Sequence, residues 1–299
     1  MQGSPANDKP WDPLVEESAV PSLQCLKRIR KELAHFYADP PARVFISADE
    51  EDLTKVHALI VGSPGTPYVG GFFYFLIRFP ADYPMSPPRV RLMTTDDGRV
   101  RFNVNLYANG KVCMSTLGTA SGSCWVPTDY LSNVLVSVQS LMGAHPYFSG
   151  CKFEERRGDP LIYNMFIEHE TIRVAVCDQV EAALNGSSRC PLALREQIFK
   201  TFLELYSTYE RAAKLKYHIT GFVMRDAYTP SRVGVFIYQE LILRMHRLKE
   251  KVELRNSVIT AIATAVAAAR AQAAAQEHET ADTAEASPKK PKRSHFGDF

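Results

Sequence analysis

GFFYFLIRFPADYPMSPPRVRLM, residues 71–93, decides the fold of this chain. Its first nine residues are apolar and aromatic almost throughout, a composition that favours a strand. Asp82-Tyr83-Pro84 and Pro87-Pro88 then force a stiff, extended connection, because proline fixes φ and restricts the residue before it. RVRLM (89–93) resumes strand character. Upstream, VFIS (44–47) and KVHALIVG (55–62) are two more short runs of the same kind, with Gly62-Ser63-Pro64-Gly65 and Gly70-Gly71 as turn chemistry between them and residue 72. The spacing predicts four consecutive strands in an antiparallel meander.

Helices bracket that meander. Leu23, Leu26, Ile29, Leu33 and Phe36 recur every three or four residues, with Ser22 as the N-cap and Pro40-Pro41 as the stop. After an aperiodic stretch, 94–127, the segment TDYLSNVLVSVQSLM (128–142) aligns Leu131, Val134, Leu135, Val138, Leu141 and Met142 on one face, with Thr128 as the expected cap. Strands in one block with helices at the ends predict an α+β fold rather than alternating α/β.

The remaining chain divides by composition. Residues 1–21 read as a disordered leader and 22–158 as a core domain. Residues 159–256 read as a helical extension, with one helix marked by Leu194, Ile198, Phe202, Leu205, Tyr209 and Ala212 and another by Ile237, Leu241, Met245, Leu248 and Val252. Residues 257–299 read as an Ala-rich helix followed by an acidic and then basic tail ending in PKKPKR (288–293), a candidate nuclear localisation signal.

The 299 residues carry 35 Lys+Arg against 33 Asp+Glu, a net charge of +2 that argues against a protein built to coat nucleic acid or an anionic membrane. Six cysteines without a C-x-x-C pair argue against a disulfide scaffold or a zinc ribbon, and predict reduced thiols. The N-terminus has no apolar segment of the signal-peptide kind. The weakly polar stretch from Val258 to Ala269 is too short for a bilayer span. Together these predict a soluble protein of the cytoplasm and nucleus.

A long aperiodic loop inside a compact core is usually functional. This one holds Asn103, Asn105, Cys113 and Trp125. By composition alone Cys113 is either a nucleophile or a small apolar filler. Its surroundings decide. LKRIRKEL (26–33), TPYVGGFFYFLIRFPADYPMSPPRV (66–90), NGKVCMSTL (109–117) and WVP (125–127), in that order and spacing, resemble the ubiquitin-conjugating (E2) enzyme family over roughly residues 22–160. GKVC, four extra residues between Cys113 and Trp125, and HETIRVAVCD (169–178) resemble a subfamily with a helical C-terminal extension.

The resemblance implies a ubiquitin-conjugating fold and a transferase whose cargo is ubiquitin or a ubiquitin-like protein. It implies Cys113 as the thioester-forming nucleophile. Thioester exchange needs thiolate character but no general base, which fits the lack of a neighbouring histidine. Asn105, eight residues before Cys113, is implied to face the oxyanion formed during aminolysis, although an Asn there also suits a loop-stabilising role. The family's His-Pro-Asn triplet reads Asn103-Val104-Asn105, so Asn103 takes the bracing position and loss of the proline predicts a looser loop. Asp159, in GDP (158–160), is implied to orient the incoming lysine; a helix cap is its competing reading.

Trp125 is implied to pack beside the active-site groove. Lys27, Arg28, Arg30 and Lys31 are implied to meet the activating enzyme (E1), and Met85, Val126 and Pro127 the E3 ligases. The subfamily resemblance implies charging by a second, alternative ubiquitin E1, with substrate lysines as acceptors. No metal or small cofactor is required of this chain, and neither nucleic acid nor membrane is expected as a partner. The competing classes are a non-catalytic E2-like or RWD-type interaction module, which shares the Tyr83-Pro84…Pro88 turn but lacks Asn-x7-Cys, and a cysteine protease, which needs a paired histidine.

Overall fold

The computed structural model describes residues 11–15, 19–149 and 159–285. Helix α1 (Leu23–Ala38) begins as expected at Ser22, whose hydroxyl accepts the Cys25 N–H. Strands β1 (Val44–Ala48), β2 (Lys55–Val61), β3 (Phe72–Arg78) and β4 (Arg89–Leu92) form one antiparallel sheet in sequence order. Both faces of β3 are buried: Phe72, Phe73, Phe75 and Ile77 are fully enclosed. Phe73 meets the rings of Tyr68 and Phe102 on one face, while on the other the Tyr74 hydroxyl lies 2.7 Å from His57 Nδ1 and 3.3 Å from the Arg189 carbonyl. The nine-residue apolar run is therefore a central strand covered by the 94–127 loop and by the C-terminal extension.

Helix α2 (Leu131–Ser140) starts later than the sequence suggests, and Thr128 does not cap it; Tyr130 occupies the N-cap and makes no side-chain cap bond. The cap comes from another element. The buried carboxylate of Glu32 on α1 accepts the Leu131 N–H at 2.7 Å, the Tyr83 hydroxyl at 2.5 Å and Arg28 Nε at 2.5 Å. One side chain thus ties together α1, the Tyr83-Pro84 turn (a cis peptide) and α2.

Downstream lie α3 (Asp159–Glu170), a π-helical stretch (Thr171–Asp178), α4 (Gln179–Asn185), α5 (Leu192–Leu215), a hairpin of β5 (Val223–Asp226) and β6 (Thr229–Val235), and α6 (Tyr238–Glu285). The extension is not purely helical. No element was expected between Ala212 and Ile237, because the Val-x-Arg, Met-x-Asp alternation of β5 is short and β6 carries Pro230 near its start. Helix α5 docks on the core where Tyr209 donates to the Gly70 carbonyl at 2.9 Å. Gly70 has φ +73°, and a Cβ there would stand 2.4 Å from the Tyr209 ring, so this turn requires glycine.

The chain divides into two compact units, Met1–Lys249 and Glu250–Phe299. Within the first, residues 11–15 contribute Asp12, ion-paired with Arg91, and Trp11, whose ring lies 5.7 Å from the same guanidinium. The rest of the expected leader up to residue 18, and the tail with PKKPKR, lie outside the described residues. In the second, Val258, Ile259, Ile262 and Val266 of the Ala-rich helix are exposed. The apolar stretch Val258–Ala269 is not ended by Arg270, because the helix runs on through it. By length and composition Tyr238–Ala273 is long and apolar enough to cross a bilayer, with a mean hydropathy of 1.2 over its most apolar window.

Candidate active site

The Asn-x7-Cys spacing is the arithmetic of a tight turn. Residues 103–113 fold back on themselves: Gly110 N–H donates to the Tyr107 carbonyl, Tyr107 N–H to the Lys111 carbonyl, and Cys113 N–H to the Asn105 carbonyl at 2.8 Å. Leu106 bridges to Val112 and Arg91 of β4 to Lys111, so the turn is an outrigger of the sheet. Gly110 makes the docking possible. Its φ is +89°, its carbonyl accepts the Leu92 N–H at 2.8 Å, and a Cβ would lie 2.5 Å from the Leu92 oxygen. The Asn105 backbone is thereby set opposite Cys113, whatever the side chains between them.

Asn103 is fully buried and its amide is satisfied on both ends. Oδ1 accepts the Asn105 N–H at 2.9 Å, and Nδ2 donates to the Leu141 carbonyl at 2.8 Å and to the Tyr68 hydroxyl at 3.3 Å. Tyr68 in turn donates to the Phe102 carbonyl. Arg101, which sequence reasoning missed, donates to the carbonyls of Asn103 and Val104 and lies 4.2 Å from the Tyr107 ring centre. The looser loop expected from Val104 in place of proline is therefore not what the structure presents: three side chains hold the backbone that proline would have stiffened. Asn105 is half-buried, and its side-chain amide has no hydrogen-bond partner among the described residues.

Cys113 is a half-buried free thiol and Cys124 an exposed one. The Cys113 Sγ–H points to the Thr119 carbonyl at 3.4 Å. A 3-10 turn, Ser115–Leu117, carries the chain away from it. A groove of about 640 Å³ flanks this segment, lined by Lys111, Ser115, Thr119, Met85, Pro87 and Trp125 among others. Trp125 is anchored there, its indole N–H donating to the Pro84 carbonyl at 2.7 Å and its ring 5.9 Å from Tyr83.

The remaining nominated residues fall into separate places. Met85 is 68% exposed and Val126 47%, with Pro127 exposed beside it. Lys27, Arg30 and Lys31 are exposed on α1, whereas Arg28 is held inward by Glu32, the Asp129 carbonyl and the Tyr130 ring. Asp159 is the first residue of α3, and its side chain lies outside the described residues.

A buried charge chain joins this loop to the extension. Arg173 of the π stretch pairs with Asp96 at 2.7 Å and with Glu170 at 2.5 Å. Glu170 also takes the His169 ring Nδ1 at 2.7 Å, while His169 Nε2 accepts the Ile237 N–H at 3.1 Å. Burial pushes the Glu170 carboxyl up, but His169 and Arg173 outweigh it and hold it below the usual carboxylate range. No group of three or more His, Cys, Asp or Glu side chains suited to a metal occurs among the described residues.

A four-stranded meander with α1 before it, an outrigger turn ending in a cysteine, and a groove lined by the residues that flank that cysteine and by Trp125 together define a ubiquitin-conjugating fold. A profile of the ubiquitin-conjugating enzyme family matches residues 28–153. The ubiquitin-conjugating enzyme E2 Z of Xenopus tropicalis is 47% identical over 247 residues, covering 81% of this chain and 77% of that protein. The human protein of the same name is 47% identical over 249 residues, covering 81% and 68%. The human dual E2 ubiquitin-conjugating enzyme/E3 ubiquitin-protein ligase BIRC6 is 45% identical over 148 residues, 46% of this chain and 3% of that protein. The chain belongs to the ubiquitin-conjugating enzyme family, and its likeness to the E2 Z proteins runs beyond the core into the extension.

Proposed function

We propose that Cys113 carries the ubiquitin C-terminus as a thioester and passes it to a substrate lysine. The single observation that supports this most is a half-buried free thiol whose backbone is locked opposite Asn105 by the 2.8 Å Cys113 N–H to Asn105 carbonyl bond. In the first step the Cys113 sulfur attacks the carbonyl carbon of the E1 thioester. A new C–S bond forms, the old one breaks, and the departing E1 thiolate takes the proton that Cys113 gives up. In the second, a lysine amine attacks the same carbon, a C–N bond forms as the C–S bond breaks, and the departing Cys113 sulfur takes up the proton that the amine gives up. Asn105, its amide uncommitted among the described residues, meets the oxyanion; such a donor is worth about 3–4 kcal/mol in related acyl transfers. Asp159 orients the lysine.

Lys27, Arg30 and Lys31 meet E1, with Arg28 supporting that face from within, and Met85, Val126 and Pro127 receive E3 ligases. Complementary charge on α1 would speed encounter more than it raises affinity. The second, alternative ubiquitin E1 is the charging enzyme, and a further ubiquitin-like protein is an alternative cargo. The site of action is the cytoplasm and nucleus, without nucleic acid or membrane as partner; flotation of the full chain with phosphatidylcholine vesicles would overturn the last point.

The test is incubation with E1, ATP and ubiquitin followed by a non-reducing gel. A thiol-sensitive adduct is expected, absent in Cys113→Ala and replaced by a reductant-stable oxyester in Cys113→Ser. No adduct with either class of ubiquitin E1 refutes the proposal.

A further inference from the structure

Thr119 lies six residues past the nucleophile, in the stretch between Cys113 and Trp125 that carries the four extra residues, and nothing in the chemistry so far uses it. Yet it bonds Cys113 and both of its chain neighbours. Its Oγ1 accepts the Met114 N–H at 2.8 Å and donates to the Val112 carbonyl at 2.7 Å, with the Met114 carbonyl at 3.1 Å. Its backbone N–H donates to the Met114 carbonyl at 3.1 Å. Its own carbonyl accepts the Cys113 Sγ–H at 3.4 Å. One residue therefore bonds the peptide units before and after the cysteine and the thiol itself.

A hydroxyl is needed for this arrangement, since it must accept from Met114 N–H while donating to Val112; a methyl group can do neither. Gly118 (φ +66°) ends the 3-10 turn directly before Thr119, and Gly122 (φ +139°) follows, where a Cβ would stand 2.9 Å from Ser115. Val112 is fully buried while Cys113 and Thr119 are half-buried, so the clamp sits at the edge of the core and is not required to fill it.

We propose that Thr119 is a positioning residue for the thioester exchange: through its hydroxyl it fixes the backbone on both sides of Cys113, and through its carbonyl it fixes the rotamer of the thiol. Misplacement of an attacking atom by a fraction of an ångström is costly in rate, whereas docking of the activating enzyme elsewhere on the molecule is untouched. This inference rests on Cys113 being the nucleophile.

The experiment compares Thr119→Val, which keeps the shape and loses the hydroxyl, with Thr119→Ser, which keeps the hydroxyl, in the full-length chain. Single-turnover charging is measured against E1–ubiquitin concentration, together with melting temperature and peptide-resolved alkylation of Cys113 by iodoacetamide at fixed pH. Thr119→Val is expected to lower the maximal charging rate about tenfold, the scale of one lost positioning hydrogen bond, with KM for E1–ubiquitin unchanged. Its Cys113 alkylation rate should change while the melting temperature moves little, and Thr119→Ser should restore at least half of the lost rate.

Charging by Thr119→Val within twofold of the parent overturns the inference, as does equal loss in the Ser and Val variants, or a loss confined to KM. If Thr119→Val does not fold, Thr119→Ser against Thr119→Ala gives the same contrast. Failure of Cys113→Ser to form the oxyester would instead sink the nucleophile assignment, whereas Cys113 alkylation reads Thr119 without any charging step.

Discussion

Asn103→Ala should separate charging from lysine discharge, and its cost follows from three bonds. The truncation removes the acceptor for Asn105 N–H (2.9 Å) and the donor to the Leu141 carbonyl (2.8 Å), with a weaker one to Tyr68 (3.3 Å). Both strong partners are main-chain groups, and Asn103 is fully enclosed, so water does not readily replace them. A buried group left unsatisfied costs about 1–3 kcal/mol, and the two strong bonds here bring the expected loss to about 2–4 kcal/mol. For a unit of this size that is a fall of roughly 4–16 °C in melting temperature. The Asn105 backbone then loses its fixed position, and aminolysis, which needs the Asn105 amide at the oxyanion, should slow about tenfold or more. Charging needs Cys113 held in place, which Thr119 still does in this variant, but not the Asn105 amide, so it should fall less than threefold at a temperature where the variant is folded. The assays are thermal melting by circular dichroism, single-turnover charging, and discharge of the preformed thioester to free lysine. Asn103→Asp keeps the acceptor for Asn105 N–H but not the donor, so it should retain more discharge activity than Asn103→Ala. A stability loss below about 1 kcal/mol, or equal slowing of charging and discharge, would refute the idea that Asn103 acts by placing Asn105.

Gly110→Ala should be worse than any side-chain truncation in the loop, because φ +89° and the 2.5 Å approach to the Leu92 oxygen leave no room for a methyl group; loss of charging with a lowered melting temperature is expected. Reversing Lys27, Arg30 and Lys31 to Glu should slow charging chiefly through the association rate, with a weaker salt dependence than the parent, while melting stays within about 1 kcal/mol of it. The same reversal at Arg28 should instead destabilise the fold, since its guanidinium pairs with the buried Glu32. Glu170 is held below the usual carboxylate range in the folded state, so its contribution is present above its unfolded value near 4.3 and is lost as pH falls through the lower folded value. Melting between pH 3 and 7 should accordingly steepen at the acid end, and Glu170→Gln should be less stable at pH 7 but flatter with pH; an equal acid slope in both proteins would remove Glu170 from that role.

What was legible in the sequence was local. Strand runs, the Ser22 cap and the turn glycines depend on residues within a few positions of one another, and they came out within one or two residues of where they lie. Asn-x7-Cys was legible only through the family resemblance; that the spacing is a tight turn with paired backbone came from the structure. The α2 cap was not, because the acceptor for Leu131 N–H is Glu32, 99 residues away, and a local Thr128 looked adequate. The β5–β6 hairpin was missed because a four-residue strand has too few alternations to stand out from the helical pattern around it.

The composition and motifs of this chain determined by themselves its α+β class, its family and which cysteine to watch. Tertiary structure decided how that cysteine is held. Asn103 reaches Leu141, Arg173 reaches Asp96, and Tyr209 reaches Gly70, each across 38 to 139 residues of chain. Hydrogen bonds and ion pairs of that kind follow from which surfaces the packed core brings together, and no periodicity along the chain encodes them.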